Sequence, residues 1–508
     1  MPANPVTALS PSPTPSDSRP RMLAILGAVL AVTIVLGALV GVALGPRTHL
    51  GEESTGDPRL VADVAAAVGD GRGRQTLSVA RVENGQTTYA GLGVLGDDDS
   101  AASSPGPDTV YELGSITKTF TGMLLADAVE RGEMNLDAPL STYLPELAGT
   151  PAGTVTPRHL ATHTSGLPRL PSTMGLGGAL TAVRGGDPYR AQTPEDVIAA
   201  AREETLESPG TFAYSNLGMA LLGHAEARAA GQATWAELAR ARLFTPLRMT
   251  STSIVDGDDA DQPWVATPHR ANGRVVGAWA SPGNDPAGSS TRTTAADMAR
   301  FAEAVIAGTA PGMDAVTPLV DTGDGGRIGL AWFTVPVEGG SALWHNGGTG
   351  GSSSALAIDR AARTAAVVLS NSDTSVDDIA PALLHRTAPH PASPPTSPGT
   401  WLPIAVAALL LVSAWWRGWR ASSRLSLFGA VADTMTAAIV ARVLGPWHVL
   451  PVWLLGSLLA CAFVGAVFAL LRMRQAPTWP PQRRVPAVLD VAVSLLLLGL
   501  ALLLLVAP

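Results

Sequence analysis

Long uncharged runs near both ends of the chain constrain its fold more than any other feature. Residues 22–45 contain no charged side chain, and four further apolar runs follow near the other end, at 401–416, 425–444, 450–471 and 486–506. About 20 consecutive apolar residues are enough to cross a bilayer as a helix. We therefore predict one N-terminal transmembrane helix and about four C-terminal ones. The first C-terminal run is short, so its helix is expected to begin earlier.

The N-terminal run has two interpretations. A cleavable signal peptide is one, but 24 residues without a charge exceed the usual apolar core of such a peptide. We therefore expect residues 22–45 to form an uncleaved anchor. Residues 1–21 are rich in Pro and Ser, a composition that predicts a disordered tail on the cytoplasmic side.

The arginines that flank these runs predict their orientation. Basic residues collect on the cytoplasmic side of membrane proteins. The segment between the second and third C-terminal runs holds only His448 as a potential cation. The segment between the first and second runs and the segment between the third and fourth runs are both basic. The orientation places residues 46–400 outside the cell. The flanking arginines are Arg19 and Arg21, then Arg417, Arg420 and Arg424, then Arg472, Arg474, Arg483 and Arg484.

The middle of the chain is predicted to form one globular domain over residues 50–386. It is acidic, since residues 46–400 carry a net charge of −15, which argues against nucleic-acid binding. Strand patterns occur first at 76–92, as a hairpin around Asn84-Gly85, and again at 329–369. Helical patterns lie between. We predict an α/β (α+β) fold, with one antiparallel sheet closed by both ends of the domain and a helical lobe inserted. Residues 387–400 are predicted to be a Pro-rich linker before the four-helix region 401–508.

The catalytic hypothesis begins at Ser115 and Lys118. Lys118 is the only lysine in 508 residues, and a lysine amine, unlike a guanidinium, can lose its proton when its surroundings lower its pKa. The spacing of Ile116, Phe120 and Met123 predicts a helix that begins at Ser115. Residues three apart lie on one helix face, so the amine is expected beside the hydroxyl, as acyl transfer requires. The alternative is an ordinary surface Ser and Lys.

Two later stretches contain further candidates. Tyr214-Ser215-Asn216 precedes an apolar helical pattern, and a Tyr beside a cationic Lys would have a lowered pKa and could serve as a base. Asn216 offers an amide to Lys118 or to a substrate carbonyl, although Ser215 or Asn216 could simply cap the helix. The stretch from His345 to Gly348 ends a strand in glycines, which allow a substrate to lie close to the strand edge.

These stretches resemble the serine β-lactamase and penicillin-binding-protein-like hydrolases, especially the branch with class C β-lactamases, D-alanyl-D-alanine carboxypeptidases and related esterases. The resemblance covers about residues 55–375 and occurs in the order of the family's motifs. A fourth matching stretch, Leu160 to Pro168, is interpreted as structural, including His163. The other three are Gly114-Ser115-Ile116-Thr117-Lys118, Tyr214-Ser215-Asn216-Leu217-Gly218 and His345-Asn346-Gly347-Gly348-Thr349-Gly350-Gly351.

The resemblance implies a role for each candidate. Ser115 would attack a carbonyl, Lys118 and Tyr214 would move the proton, and the backbone N–H groups of Ser115 and Gly348 would bind the oxyanion. The glycine pair Gly347-Gly348 and Asn216 would accommodate the substrate. Relatives commonly have Lys-Thr-Gly where this chain has His-Asn-Gly, which favours the carboxypeptidase and esterase members. His345 would assist by hydrogen bonding or, when protonated, by attracting a substrate carboxylate.

The sequence thus predicts a membrane-embedded serine hydrolase whose catalytic domain is extracytoplasmic. Its substrates would be small molecules or peptides, with D-amino-acid peptides of the cell wall, β-lactams and small esters as candidates. No pattern for a metal or a nucleotide cofactor occurs, so none is expected. The alternative function is a penicillin-binding sensor that is acylated without turnover and is coupled to its transmembrane helices. Asp433, inside the second C-terminal run, is a candidate for a transport or sensing role or for a simple hydrogen bond.

Overall fold

Strands lie at both ends of the globular region and helices lie between them. The computed structural model describes residues 18–95, 104–190, 192–255, 266–323, 325–337, 340–385, 398–421, 423–474, 476–478 and 484–505. The strands are β1 (Ser54–Gly56), β2 (Thr76–Glu83), β3 (Gln86–Gly93), β4 (Val110–Glu112), β5 (Ser253–Ile254), β6 (Thr291–Thr294), β7 (Val320–Asp321), β8 (Arg327–Ile328), β9 (Phe333–Val337), β10 (Gly340–Gly348), β11 (Ser353–Asp359) and β12 (Thr364–Ser370).

Fifteen α-helices occur in the described part of the chain. They are α1 (Ser18–Leu44), α2 (Pro58–Val68), α3 (Thr117–Glu130), α4 (Pro151–Thr154), α5 (Pro157–Ala161), α6 (Gly175–Arg184), α7 (Pro194–Arg202), α8 (Asn216–Ala229), α9 (Trp235–Ala239), α10 (Ala295–Ala307), α11 (Ile379–His385), α12 (Pro398–Arg420), α13 (Arg424–Leu444), α14 (Val452–Met473) and α15 (Arg484–Leu503). By backbone contacts they divide between two compact units, a globular one and one that contains α1 and α12–α15.

The central sheet has nine antiparallel strands in the order β1-β3-β2-β12-β11-β10-β9-β8-β7. The early strand β2 pairs with the last strand β12, with Val79 opposite Val368, so the predicted sheet closed by both ends of the domain is confirmed. The predicted hairpin is confirmed too. Asn84 and Gly85 have φ values of +52° and +78°, as a type I′ turn requires at both central positions.

Alternation along the strands creates two cores. On β11, Leu356 and Ile358 face the core that includes α3, α8 and α10. Ala355 and Ala357 face the opposite core, formed with α2 and α11. Successive side chains of a strand point to opposite faces, so one short strand serves both layers. The first layer contains the helical lobe, which follows Ser115.

Two features of the strands differ from the sequence prediction. The strand expected from Gly329 begins at Phe333, because Gly329 donates its N–H to the carbonyl of Trp332 in a turn. A second sheet, ordered β4-β6-β5, was not predicted. Its strands have only two to four residues, too few for an alternating pattern to be visible.

Three helices among the described residues are long and apolar enough to cross a membrane. They are Trp401–Arg420, Arg424–Leu444 and Val452–Met473, whereas α1 and α15 contain the shorter apolar stretches Ala31–Leu44 and Ala487–Leu503. Three of the five predicted spans are thus supported by length and composition, and the other two stay predictions. As expected, α12 begins before residue 401. The predicted linker 387–400 and tail 1–21 lie mostly outside the described residues.

Glycines bring α1 and α14 together in the helical unit. A Cβ at Gly37 would lie 2.5 Å from the Gly456 carbonyl oxygen, and one at Gly41 would lie 2.7 Å from the Val452 carbonyl oxygen. Small residues at such positions let helix backbones approach closely in a membrane. The described part of α1 therefore packs as a member of the helical unit.

Candidate active site

A short turn presents Ser115 at the start of a buried helix. Strand β4 ends at Glu112, a 3₁₀ turn covers Gly114–Ile116, and α3 follows from Thr117. Gly114 has a φ of +62°, and a Cβ there would lie 2.6 Å from the backbone nitrogen of Gly348. Glycine is needed because it adopts this φ without strain and leaves room for β10. The turn thus places Ser115 beside the end of β10.

Lys118 is buried directly behind the Ser115 hydroxyl. Its side chain is inaccessible to solvent, and its Nζ lies 2.9 Å from Ser115 Oγ and donates a hydrogen bond of 2.6 Å to the Ala287 carbonyl. Within the described residues, no carboxylate forms an ion pair with this amine. Burial, and then the nearby charge of Arg169, lower the pKa of Lys118 well below its usual value. A neutral amine at this position can accept the Ser115 proton.

Tyr214 reaches the same serine from the start of α8. Its phenol is near enough to the Ser115 hydroxyl for that group to influence its pKa, and its ring centroid lies 5.1 Å from Lys118 Nζ. Burial raises the pKa of Tyr214 to about 12. The expected lowering of its pKa is therefore wrong, because desolvation of the phenolate outweighs the neighbouring cation. Tyr214 retains its proton and can pass it between Ser115 and a leaving atom.

The stretch around His163, which the sequence predicts to have a structural role, holds the segment that contains Tyr214 in place. The His163 carbonyl accepts a hydrogen bond from the Ala213 N–H (2.7 Å), and its Nδ1 accepts one from the Ser215 N–H (3.2 Å). Ser215 caps α8 by accepting the Gly218 N–H at 2.9 Å, as the capping alternative for this motif anticipates. The imidazole of His163 is buried, and burial lowers its pKa. These contacts fit a positioning role for His163.

Asn216 faces the smaller part of the cleft. Its Nδ2 donates to the Tyr189 hydroxyl at 3.2 Å. Its Oδ1 is enclosed and has no hydrogen-bond partner among the described atoms. The sequence left two partners open for this amide, Lys118 and a substrate carbonyl. No hydrogen bond between Asn216 and Lys118 occurs among the described residues, and the contact with a substrate carbonyl stays a prediction.

Alternation along β10 separates its residues into two groups. Trp344, Asn346 and Gly348 line the cleft, whereas His345 is wholly buried on the other side of the strand. Burial, with the nearby charge of Lys118, lowers the pKa of His345 to about 3, and its Nδ1 bonds to the Asn346 carbonyl. The imidazole is therefore neutral near pH 7. A neutral imidazole does not attract a substrate carboxylate by charge, contrary to one of the two expected roles of His345.

The glycines at the end of β10 lie against the turn of Ser115. A Cβ at Gly347 would lie 3.1 Å from the backbone nitrogen of Ser115. Gly348 is exposed and pairs with Ser353 across β11. The backbone nitrogens of Ser115 and Gly348 are thus brought to one edge of the cleft, where N–H groups can stabilise a developing oxyanion.

The cleft has two lobes that share Ser115, Arg169 and Gly348. The larger lobe has a volume of about 500 Å³ and the smaller one about 140 Å³. Aromatic side chains form part of the larger lobe, and Leu170 and Tyr189 from the segment after Pro168 border the smaller one. The remaining lining of the larger lobe comes from Phe212, Tyr214, Phe333, Trp344, Asn346, Gly347, Thr349, Ser352, Ser353, Asp373, Ser375 and Asp377.

Three residues at the site were missed by the sequence analysis. Arg169 stacks on Tyr214, with its guanidinium carbon 5.1 Å from the ring centroid; its position immediately after the Leu160–Pro168 stretch was a usable signal. Glu112 is buried and accepts hydrogen bonds from Thr349 and Ser352, both at 2.8 Å. The Ala287 carbonyl that binds Lys118 lies in a loop, and no side-chain pattern could reveal it.

Comparison with known proteins agrees with this geometry. Residues 61–388 match the model of the Beta-lactamase family. A Beta-lactamase of Escherichia coli (strain K12) is 30% identical over 231 residues, which cover 45% of this chain and 55% of that protein. The D-alanyl-D-alanine-carboxypeptidase/endopeptidase AmpH of the same strain is 28% identical over 235 residues, 45% of this chain and 58% of that protein. The chain therefore spans little more than half of either relative.

Solved structures agree in fold. A class C beta lactamase from Rhodobacter sphaeroides has a TM-score of 0.52 at 24% identity, over 62% of this chain and 94% of that chain. D-alanine Carboxypeptidase AmpC from Burkholderia cenocepacia has a TM-score of 0.51 at 25% identity, over 63% and 93%. With its Ser115–Lys118 pair, its antiparallel sheet and a family match over most of its length, the chain belongs to the Beta-lactamase family of serine hydrolases.

Proposed function

We propose that this protein is a membrane-embedded hydrolase that forms an acyl-enzyme on Ser115. The observation that carries the proposal is the 2.9 Å contact between Ser115 Oγ and Lys118 Nζ, in which the amine is buried without a carboxylate among the described residues. A buried cation without a counter-charge is costly, so the neutral amine is favoured. A neutral amine is the base that a serine nucleophile needs.

The reaction follows from these positions. Ser115 Oγ forms a bond to the substrate carbonyl as its proton moves to Lys118, and the N–H groups of Ser115 and Gly348 stabilise the oxyanion. Tyr214 passes a proton to the leaving atom as the scissile bond breaks, and the proton that Lys118 took from Ser115 replaces it on the phenol. Water then attacks the ester, the acyl group leaves as the acid as its bond to Ser115 Oγ breaks, and the proton that the water loses returns to Ser115. Asn216 and Gly347 would accommodate the acyl part of the substrate.

The proposed substrates are D-amino-acid peptides of the cell wall, β-lactams or small esters. The cleft volume of about 500 Å³ suits a short peptide or a bicyclic lactam. Likeness to relatives named as carboxypeptidase and β-lactamase supports the same classes. With three candidate membrane helices and the arginine flanks, we also propose a multi-pass protein of the cell membrane with its catalytic domain outside the cell.

The test is the intact mass of the full-length protein in detergent after exposure to a penicillin or a p-nitrophenyl ester. Ser115→Ala provides the matched control. The proposal expects a mass increase on the wild-type protein that decays with time and never occurs on Ser115→Ala. A Ser115-dependent adduct that persists would instead support the non-turnover sensor. An adduct on both proteins, or on neither, would contradict the proposed nucleophile.

A further inference from the structure

Two aromatic side chains form one wall of the smaller lobe of the cleft. Tyr189 and Trp279 line this lobe, with their ring centroids 5.4 Å apart and an interplanar angle of 71°. Edge-to-face contact at such a distance is favourable for two aromatic rings. The Tyr189 hydroxyl also accepts a hydrogen bond from Asn216 Nδ2 at 3.2 Å, and Asn216 lines the smaller lobe but not the larger one. The position of the aromatic wall therefore sets the room that remains beside Asn216.

A buried carboxylate, Asp187, joins the two halves of this wall. Its Oδ1 accepts the N–H of Tyr189 at 2.8 Å, and its Oδ2 accepts the N–H of Ala280 at 2.9 Å. The first contact is a local turn of the kind that Asp commonly forms with the residue two positions ahead. The second contact joins residues 93 positions apart, and Ala280 directly follows Trp279. One carboxylate thus ties the backbone of Tyr189 to that of Trp279.

A second buried carboxylate holds the neighbouring peptide group. Glu112 accepts the N–H of Trp279 at 2.7 Å and pairs with Arg292 at 3.3 Å. Asp187 forms no ion pair among the described residues, and the charged side chains that act on it are Glu112, which raises its pKa, and Arg190, which lowers it. Two like charges on consecutive N–H groups disfavour each other, so the acid without a paired cation is the one that takes up a proton.

Protonation of Asp187 removes one of its two contacts. Burial raises the pKa of this carboxyl to about 6, although its hydrogen bonds from Tyr189 and Ala280 act in the opposite direction. Burial also raises the pKa of the Tyr189 phenol, which therefore stays neutral in this range. A carboxylate accepts from both N–H groups, whereas a carboxylic acid turns an O–H donor towards one of them. Below about pH 6 the link between the two halves of the wall is therefore broken.

We propose that Asp187 is a positioning residue that keeps the smaller lobe narrow, and that its protonation widens the lobe for bulkier acyl groups. The inference rests on the proposed function, in which Asn216 accommodates the acyl part of the substrate. With Asp187 ionised, the aromatic pair is fixed and the lobe keeps its volume of about 140 Å³. With Asp187 neutral, Tyr189 and Trp279 are no longer tied together and can move apart. The choice between acyl groups then changes with pH, whereas the nucleophile stays the same.

The test compares p-nitrophenyl acetate with p-nitrophenyl phenylacetate on the full-length protein in detergent, between about pH 5 and about pH 8. The two esters share a leaving group and a nucleophile, so the charge of Lys118 cancels from the ratio of their kcat/KM values. The ratio of phenylacetate to acetate is expected to fall about tenfold as pH rises through the pKa of Asp187, because the narrow lobe excludes the larger acyl group. In Asp187→Asn, whose amide resembles the neutral acid, the ratio should keep its high value at every pH.

Two further variants separate the shape of the lobe from a general loss of structure. Tyr189→Ala removes the wall itself and should raise the ratio at every pH. Asp196→Asn weakens a comparable contact, from an exposed Asp to the backbone N–H of Thr193 at 3.0 Å, and should leave the wild-type profile unchanged. A wild-type ratio that does not vary with pH, an Asp187→Asn ratio that follows the wild type, or no change in Tyr189→Ala would overturn the inference while leaving Ser115 catalysis intact. If neither ester forms a Ser115-dependent adduct in the wild type, the proposed function itself fails, and the inference fails with it.

Discussion

The cleft and the helical unit each enclose a basic side chain, Lys118 fully and Arg417 partly, and they accommodate it in different ways. In the cleft, Lys118 is enclosed without an ion pair among the described residues and has a lowered pKa. In the helical unit, Arg417 of α12 contacts the buried carboxylate of Asp433 and lies 2.7 Å from Asp490. A guanidinium cannot lose its proton, so it needs counter-charges, whereas an amine can become neutral.

The comparison explains why a chain with 33 arginines keeps one lysine. The globular unit also buries an arginine, Arg292, and supplies it with Glu112 at 3.3 Å. At both of these described positions, Arg292 and Arg417, the permanent charge of arginine has a carboxylate partner. Lysine occurs at the one described position where the base must be able to lose its charge.

The largest effect is expected from changes at Lys118. Lys118→Arg and Lys118→Met each remove the tunable base, so kcat/KM is expected to fall roughly 10²- to 10⁴-fold in both, the range for loss of a general base. The two variants should differ in stability. The Arg variant buries an unpaired guanidinium and should unfold at a lower temperature, whereas the Met variant should not.

Measurement of kcat/KM and of the melting temperature on both variants tests the argument. An active Lys118→Arg variant would show that a titratable amine is not required. Equal loss of stability in the two variants would show that packing, and not charge, governs this position.

The ion pair in the helical unit provides the next largest effect. Asp433→Leu leaves Arg417 with Asp490 alone, and we expect a loss of about 3 kcal/mol, because Arg417 loses its buried counter-charge and keeps only a half-exposed one. The double variant Arg417→Leu/Asp433→Leu should recover most of that loss. Unfolding of the full-length protein in detergent measures both. Additive losses in the double variant would show that the two side chains do not stabilise each other.

Glu112→Gln tests the arginine pair of the globular unit. The carboxylate accepts the Trp279 N–H at 2.7 Å and bonds Thr349 and Ser352, which follow Gly348. We expect a loss of about 2 kcal/mol in stability, since Arg292 keeps its charge without a partner. Addition of Arg292→Met should restore part of this stability but not the activity, because the turn after Gly348 stays loosened. Full recovery of kcat would contradict a role for Glu112 in positioning that turn.

The sequence predicts the fold well for physical reasons that can be named. Asn84-Gly85 specifies a hairpin because both residues accept positive φ, and the apolar runs at β11 and β12 lie in strands of seven residues each. Ser115 and Lys118 were found because their three-residue spacing is local. The short strands β4 to β6 were missed because a two- to four-residue strand has no period to detect.

Side-chain electrostatics was less predictable than position. The sequence places Tyr214 near Lys118 but not the degree of burial, which raises the pKa of the phenol instead of lowering it. Burial likewise decides the pKa of His345, which it lowers to about 3. Strand alternation assigns it to the face opposite Trp344 and Asn346, yet only the structure shows that this face is the dry one. Arg169 was missed because its role depends on a loop fixed to α8 by backbone hydrogen bonds.

The pH dependence of catalysis should follow the charge of Lys118. The amine acts as a base only when neutral, so kcat/KM should rise with pH through its lowered pKa and reach a plateau below the usual value of 10.5. Tyr214, with its pKa of about 12, should cause no decline below about pH 11. In Arg169→Gln the rise should move to higher pH, because a neighbouring cation that favours the neutral amine is removed. A profile unchanged by this substitution, measured with an uncharged ester, would contradict the coupling.

The smallest effect concerns a buried acid. Burial favours its neutral form, as it does for Lys118, but the acid becomes neutral by keeping a proton and the amine by losing one. Glu226 of α8 is inaccessible to solvent, and burial raises its pKa well above the usual 4.5. The folded state therefore holds a proton that the unfolded state releases, so stability is full below pH 4.5 and declines as pH rises through the raised pKa. Glu226→Gln removes this dependence and should gain on the order of 1 kcal/mol at pH 8 and nothing at pH 4. Melting temperatures of both proteins across this range measure the difference, and parallel curves would show that Glu226 does not remain protonated in the folded protein.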